Sequence, residues 1–236
     1  CPAKRVVGGH SGSALMKDLD LAIELVKFTV AAVDVPVTLK MRLGWDQSSI
    51  NAPELARRAE AEGIQLITVH GRTRCQFYKG KADWSAIEAV KHAISVPLIA
   101  NGDLLRPEDA PAMLAQSGAN GVMIGRGSYG APWIVGQTGN FLKNGAYQIA
   151  PWGKALAETV CAHYEDMLQH YGVELGVRQA RKHLDWYMQA ANVDVPVEER
   201  RALMTCETPA EVLSHLDRIL SRSLEPEDLL KASEAA

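Results

Sequence analysis

The chain has 236 residues, 47% hydrophobic and 22% charged, with a formal net charge of -3; this excludes a disordered or strongly basic protein and fits one domain, or one domain with a smaller second one. Its 4 cysteines, Cys1, Cys75, Cys161 and Cys206, are scattered with no CxxC spacing, which argues against a metal site or a disulfide framework and for a reducing compartment. No run approaches the ~20 apolar residues of a membrane span, so a cytoplasmic protein with no membrane contact is expected, and any basic face must be local.

The chain opens on CPAKRVVGG, and residues 13–33 then read as a helix. Four short apolar runs follow: VPVTLKM (35–41), IQLITVH (64–70), VPLIANG (96–102) and GVMIGRG (121–127). Each is rich in Val, Ile and Leu without polar alternation, the pattern of parallel strands buried on both faces. Helical patterns separate them at 52–63, 83–94 and 106–118, the last with Pro107 near its start and Gly118 at its end. Strand and helix alternating in this way imply βαβ units and a parallel sheet. Beyond APWIVGQTGNFLKNG (131–145) the strand signal stops. Residues 151–222 read as helices with polar breaks, and the tail EPEDLLKASEAA as frayed. A boundary is expected near 146–151, giving domains 1–146 and 147–236. A closed (β/α)8 barrel needs eight strands and ~250 residues. Four strands leave two readings, a small open sheet or the second half of a barrel.

The carboxyl ends of the four strands carry Lys40 with Arg42, His70 with Arg72, Asn101-Gly102-Asp103, and Gly125-Arg126-Gly127. In parallel α/β folds these ends form the ligand face. The glycines let backbone N–H groups approach a phosphate, and Arg126 offers a forked pair of donors. Barrel enzymes often bind phosphate at the loops after their last two strands. Anion binding with charge stabilisation is the chemistry these residue types suit.

CPAKRV, PVTLKMRLGW, TVHGRTR, PLIANGD and MIGRGSYGAPWI, in this order, resemble the bacterial tRNA-dihydrouridine synthases, most closely the B-type subfamily. The resemblance covers residues 1 to about 142 and continues more weakly through HYGVELGVRQARKHLDWYM (163–188). It implies an α/β fold: the C-terminal half of a (β/α)8 TIM barrel followed by an all-helical domain that grips tRNA. It also implies FMN as cofactor, NADPH as reductant, and reduction of the C5=C6 bond of a uridine in tRNA by a monomer. Cys1-Pro2 matches the end of the family's N-x-G-C-P loop, so the chain is expected to begin inside that loop. Activity is accordingly expected of the longer protein rather than of these 236 residues alone. On this resemblance Cys1 is the general acid, and a thiol of ordinary pKa, ~8.5, is mostly protonated at neutral pH. Lys40 would contact the flavin ring where charge collects on reduction, with His70 beside it. Asn101, Gly102 and Asp103 would hold the ribityl-phosphate arm, and Gly125 and Arg126 the phosphate. Arg72 and Arg42 would touch flavin, uridine or the tRNA backbone, the three standing open; Lys4 and Arg5 are candidates for RNA contact, as are Arg178, Arg181 and Lys182 in the helical part, beside Trp186 and Tyr187. Glu174 and Arg178, at i,i+4, equally suit a solvated surface pair. Cys75, Cys161 and Cys206 are expected to be structural.

Two other functions fit the residues. The first is another FMN barrel oxidoreductase acting on a small molecule, which would have no need of a basic helical domain. The second is a non-catalytic RNA-binding protein that keeps the barrel as scaffold, against which the intact Cys1, Lys40 and phosphate-type loop weigh.

Overall fold

The computed structural model describes residues 1–223, and the tail expected to fray lies outside them. The chain forms two compact units, one of Cys1–Gly127 and one beginning at Ser128.

In the first unit a short helix α1 (Lys4–Gly8) precedes a 3-10 turn (Gly12–Lys17) and α2 (Leu19–Ala31). The sequence reads as one helix over 13–33, but the structure breaks it at Asp18, whose carboxylate accepts from the Leu21 N–H at 3.0 Å and so caps α2. Four parallel strands follow, β1 (Thr38–Arg42), β2 (Leu66–His70), β3 (Leu98–Asn101) and β4 (Gly121–Met123), in the spatial order β1-β2-β3-β4. The intervening helices are α3 (Ala52–Ala61), α4 (Glu88–Ala93) and α5 (Ala110–Ser117). Chain order equal to sheet order, with a helix in each crossover, is the succession of a (β/α) barrel wall.

α3 buries Ala52, Leu55, Ala56 and Ala59, a stripe at helical spacing, and leaves its charged residues outside. Those alanines join Met41, Ile67, Val69, Leu98 and Ala100 in one core on the helix side of the sheet. Period two sends the alternate residues to the other face. The register sets Lys40, Thr68, Ile99 and Gly121 in one cross-strand row, and Arg42, His70, Asn101 and Met123 in the next. The strands therefore alternate after all, with an aliphatic face toward the helices and a polar one opposite.

The second unit is helical throughout its described residues: α6 (Ile134–Asn144), α7 (Gly153–Tyr171), α8 (Val173–Ala190), α9 (Val197–Thr205) and α10 (Pro209–Leu220). Gly172, at φ +76°, reverses the chain between α7 and α8, a backbone conformation that L side chains rarely adopt. Leu156, Val160 and Tyr164 of α7, Ala180 and Leu184 of α8, Leu203 of α9, and Leu216 and Ile219 of α10 make the core. Its bundle signal is the plain 3.6-residue apolar period.

Packing at this density predicts that Leu216→Ala, at a fully buried site, lowers stability by about 2–5 kcal/mol. Val135→Ala, at a residue 57% exposed, should change it by less than about 0.5 kcal/mol. Urea denaturation of the two variants checks the contrast.

Candidate active site at the strand ends

The polar row at the carboxyl ends of the strands is built from the backbone outward. Asn101, at the end of β3, donates from Nδ2 to the Met123 carbonyl at 2.8 Å and ties β3 to β4. Gly102 follows at φ +122°, and a Cβ there would stand 2.7 Å from the Ala82 Cβ and 3.3 Å from the His70 ring. Trp84 Nε1 donates to the Gly102 carbonyl at 2.8 Å and holds this turn closed. The chain is thus pressed against His70, which only glycine permits.

Asp103, left-handed at φ +55°, turns its carboxylate back under the face. It accepts both ends of the Arg72 guanidinium, at 2.8 and 2.5 Å, and the Ala82 N–H at 2.8 Å. Arg72 also donates to the Lys79 and Gly80 carbonyls, at 3.2 and 2.6 Å, and is 2% exposed. Arg42, equally buried, donates to the Thr73 and Phe77 carbonyls at 2.8 and 2.6 Å. Between them these two arginines staple the loop after β2 onto the sheet. The loop's Tyr78 lies under the Arg126 guanidinium, 4.1 Å from its ring centroid, with Arg42 at 5.5 Å. Arg126 is 45% exposed and stands 3.5 Å from Asp103.

Arg72 and Arg126 thus share one carboxylate, that of Asp103, while Lys40 and Arg42 stand on β1 beside them. Burial lowers the Lys40 ammonium below its usual range, and the charge of Arg42 lowers it further. Among the described residues Lys40 has no ion pair or hydrogen-bond acceptor, so its charge awaits an anion. Burial, with the charges of Arg42, Lys40 and Arg72, pushes His70 down to about 3. His70 is therefore a neutral ring at physiological pH, and its Nδ1 is buried with no hydrogen-bond partner. Burial works to raise Asp103, but the hydrogen bonds of Arg72 and Ala82 and the charges of Arg72 and Arg126 hold it below the usual carboxylate range.

Cys1 is exposed at the rim. Its carbonyl accepts from the Ser13 N–H at 3.0 Å and from Ser13 Oγ at 2.8 Å. Cys1, Lys40 and Arg42 together border a cavity of about 280 Å³ along the free edge of β1, lined otherwise mainly by aliphatic residues of α2 and β1. At the other side of the face an added Cβ on Gly125 would meet nothing within 4 Å, so the space above the end of β4 is open.

Residues 1–225 match the dihydrouridine synthase (Dus) family. The chain belongs to that family. A protein of Rhizobium leguminosarum bv. phaseoli named "Probable tRNA-dihydrouridine synthase" is 54% identical over 92% of this chain and 66% of its own length. A similarly named protein of Rickettsia conorii is 54% identical over 79% of this chain and 56% of its own. "tRNA-dihydrouridine synthase B" of Xanthomonas campestris pv. campestris is 43% identical over 91% of this chain and 64% of its own. The chain thus spans 56–66% of the length of these relatives. Among solved structures, mandelate oxidase with 3,3-difluoro-2-hydroxy-3-phenylpropionic acid aligns with 82% of the chain and 65% of its own, at 20% identity and a TM-score of 0.36, a likeness too slight to bear on fold or function.

Against the family's expected residues, the fold brings Lys40, His70, Asn101, Gly102 and Arg126 to one face, with Gly125 in the same loop as Arg126 and Cys1 at the rim. Arg72, for which flavin, uridine and the tRNA backbone all stood open, faces inward and spends its donors on Asp103 and the loop carbonyls. Asp103, expected at the ribityl-phosphate arm, is committed to Arg72, Ala82 and Arg126. Lys4 and Arg5 are exposed on α1. In the helical unit Arg178 pairs with Glu174 at 2.8 Å, the ordinary surface arrangement, whereas Lys182 is exposed and Arg181 is half-buried with an unpartnered Nε. Tyr187 is core, its hydroxyl 3.0 Å from His163 Nδ1, and Trp186 stacks on Tyr129 at 4.0 Å. Cys75 is exposed, and Cys161 and Cys206 are half-buried; all four cysteines are free thiols. No group of three or more metal-ligating side chains occurs among the described residues, nor any helix long and apolar enough to cross a membrane. Sequence reasoning missed Tyr78 and Arg42's anchoring role; an aromatic shortly after the basic end of β2 was the available signal.

His70 carries a pH signature. Its pKa is about 3 in the fold against ~6.5 unfolded, so between those values the unfolded chain holds the extra proton and stability falls as pH falls. From about pH 7 to about pH 4.5 the wild type should lose more stability than His70→Gln, read as the difference in urea midpoints.

Proposed function

We propose that the protein containing this chain is a tRNA-dihydrouridine synthase that carries FMN on the strand-end face, takes its reducing equivalents from NADPH and acts on a uridine of tRNA as a monomer. The observation that carries this reading is the cationic row itself: Lys40, Arg42, Arg72 and Arg126 at the strand ends, with a single carboxylate, Asp103, shared by the last two, beside an orphaned buried histidine nitrogen, with a thiol at its rim. This donor set suits FMN. Lys40 would lie where the ring gathers negative charge, His70 Nδ1 would find a partner in the bound group, and Arg126, in the glycine-flanked loop after β4, would take the phosphate. Bound there, FMN would supply the hydride for C6 of the uracil ring.

The chain's own residues do the rest. Cys1 Sγ donates the proton to C5, and Ser13 fixes the backbone of Cys1, which borders the same cavity as Lys40 and Arg42. Arg42, Arg72 and Asp103 keep the loop after β2 in place and limit water at the reacting centre. Lys4 and Arg5, on α1 beside Cys1, and Arg181 and Lys182 in the helical unit would meet RNA phosphates.

The test incubates the full-length protein with NADPH and tRNA from cells lacking dihydrouridine and counts dihydrouridine by mass spectrometry. Product from wild type, with a rate about 10²–10⁴-fold lower for Cys1→Ala at unchanged flavin content, is the expected result. Bound, NADPH-reducible flavin without product would overturn it in favour of a small-molecule oxidoreductase.

A further inference from the structure

A second basic feature sits on the same unit, outside the residues considered above. The indole of Trp45, in the loop after β1, has the Lys17 ammonium 3.8 Å from its ring centroid on one contact and the Arg74 guanidinium 4.8 Å from it on another. The three residues come from three segments that the backbone fastens together. The Arg74 N–H donates to the Gly44 carbonyl at 2.9 Å and the Cys75 N–H to the Trp45 carbonyl at 2.8 Å, joining the loops after β1 and β2. Lys17 ends the 3-10 turn whose Ser13 holds the Cys1 carbonyl, and the neighbouring Met16 carbonyl accepts from Asn51 Nδ2 at 2.7 Å. The cluster is therefore anchored to the Cys1 segment and to two of the strand-end loops.

Its charge is not neutralised. Among the described residues neither Lys17 nor Arg74 has a carboxylate within ion-pair distance or a hydrogen-bond acceptor for its side chain. Arg74 Nε is buried and without a partner. The acids nearest in sequence are engaged locally: Asp18 caps α2, and Asp46 accepts from the Ser48 and Ser49 hydroxyls at 2.7 and 2.8 Å. One aromatic ring holding two uncompensated cations is an arrangement that an anion would stabilise.

We propose that Lys17, Trp45 and Arg74 form a phosphate-binding contact for the RNA backbone, on the segment tied to Cys1 and the loops after β1 and β2. This rests on the reading of tRNA as substrate and extends it to a surface of the α/β unit. The contact is to phosphate rather than to a base, because the cluster offers two uncompensated cations, one with a buried unpartnered Nε, and those call for an anion. It is accordingly sequence-independent. It holds the nucleotide chain on the α/β unit while the helical unit makes its own contacts.

The experiment measures tRNA affinity against salt for the full-length protein, with flavin content and the NADPH oxidation rate without tRNA as controls. Lys17→Ala/Arg74→Ala should flatten the slope of log K against log salt by about 1.4–1.8, the loss of two phosphate contacts, and raise the KM for tRNA with both controls unchanged. Trp45→Leu keeps both charges and should weaken binding without flattening the slope by as much; Arg74→Lys should restore most of the slope lost in Arg74→Ala. An unchanged slope in the double variant, while wild type still makes dihydrouridine, overturns this inference and leaves the function standing. A wild type that neither binds nor modifies tRNA overturns both.

Discussion

The strand-end face depends on one buried ion pair. Arg72, almost wholly inaccessible, forks onto the Asp103 carboxylate, and the remaining donors of the guanidinium close the loop after β2 through Lys79 and Gly80. Removing Asp103 strands the Arg72 charge where little water reaches, a loss comparable to the ~3–5 kcal/mol that breaking a buried pair costs. The pair does more than bind two side chains. Asp103 also receives the Ala82 N–H and stands beside Arg126, so the end of β3, the β2 loop and the basic loop after β4 are set by the same carboxylate. Its left-handed backbone is the strain that this arrangement sustains.

From that constraint the electrostatics follow. Asp103 is held ionised by the arginines it serves, yet it cannot neutralise them all. Lys40 and His70 feel the excess as lowered proton affinity, Lys40 mostly through burial and then through Arg42, His70 through burial and three cations. A neutral imidazole next to an unpaired ammonium is a surface prepared for an anionic, hydrogen-bonding guest. The aliphatic core on the opposite face of the same strands makes the preparation possible, since it fixes the alternation that sends Lys40, Thr68, His70 and Asn101 to one side.

Much of this was legible in the sequence. The four apolar runs became four parallel strands because Val, Ile and Leu at the positions facing the helices are enough to specify them, and the basic and glycine-rich residues at their ends were where the reading put them. The alternation was harder to see. Thr68 and Ile99 sit on the polar face without a strong polar signal, so the runs looked apolar throughout. The role of Arg72 was not legible, because its partner lies 31 residues away and meets it only through the register of β2 with β3. The same holds for Tyr78 beneath Arg126. The break at Asp18 was concealed by a continuous apolar period, which a single capping carboxylate overrode. In the helical unit the cluster Arg178, Arg181 and Lys182 looked uniform in sequence, whereas the fold pairs the first, half-buries the second and exposes the third.

The central claim is that the strand-end face is an anion-binding flavin site with Arg126 at the phosphate. Calorimetric titration of the full-length apoprotein with FMN and with riboflavin, which lacks the phosphate, tests it most directly. FMN is expected to bind more tightly by the worth of a charge-assisted hydrogen-bond set, about 1.5–3 kcal/mol, and Arg126→Ala to remove most of the difference. Equal affinities for the two flavins, or a difference untouched by Arg126→Ala, would contradict it.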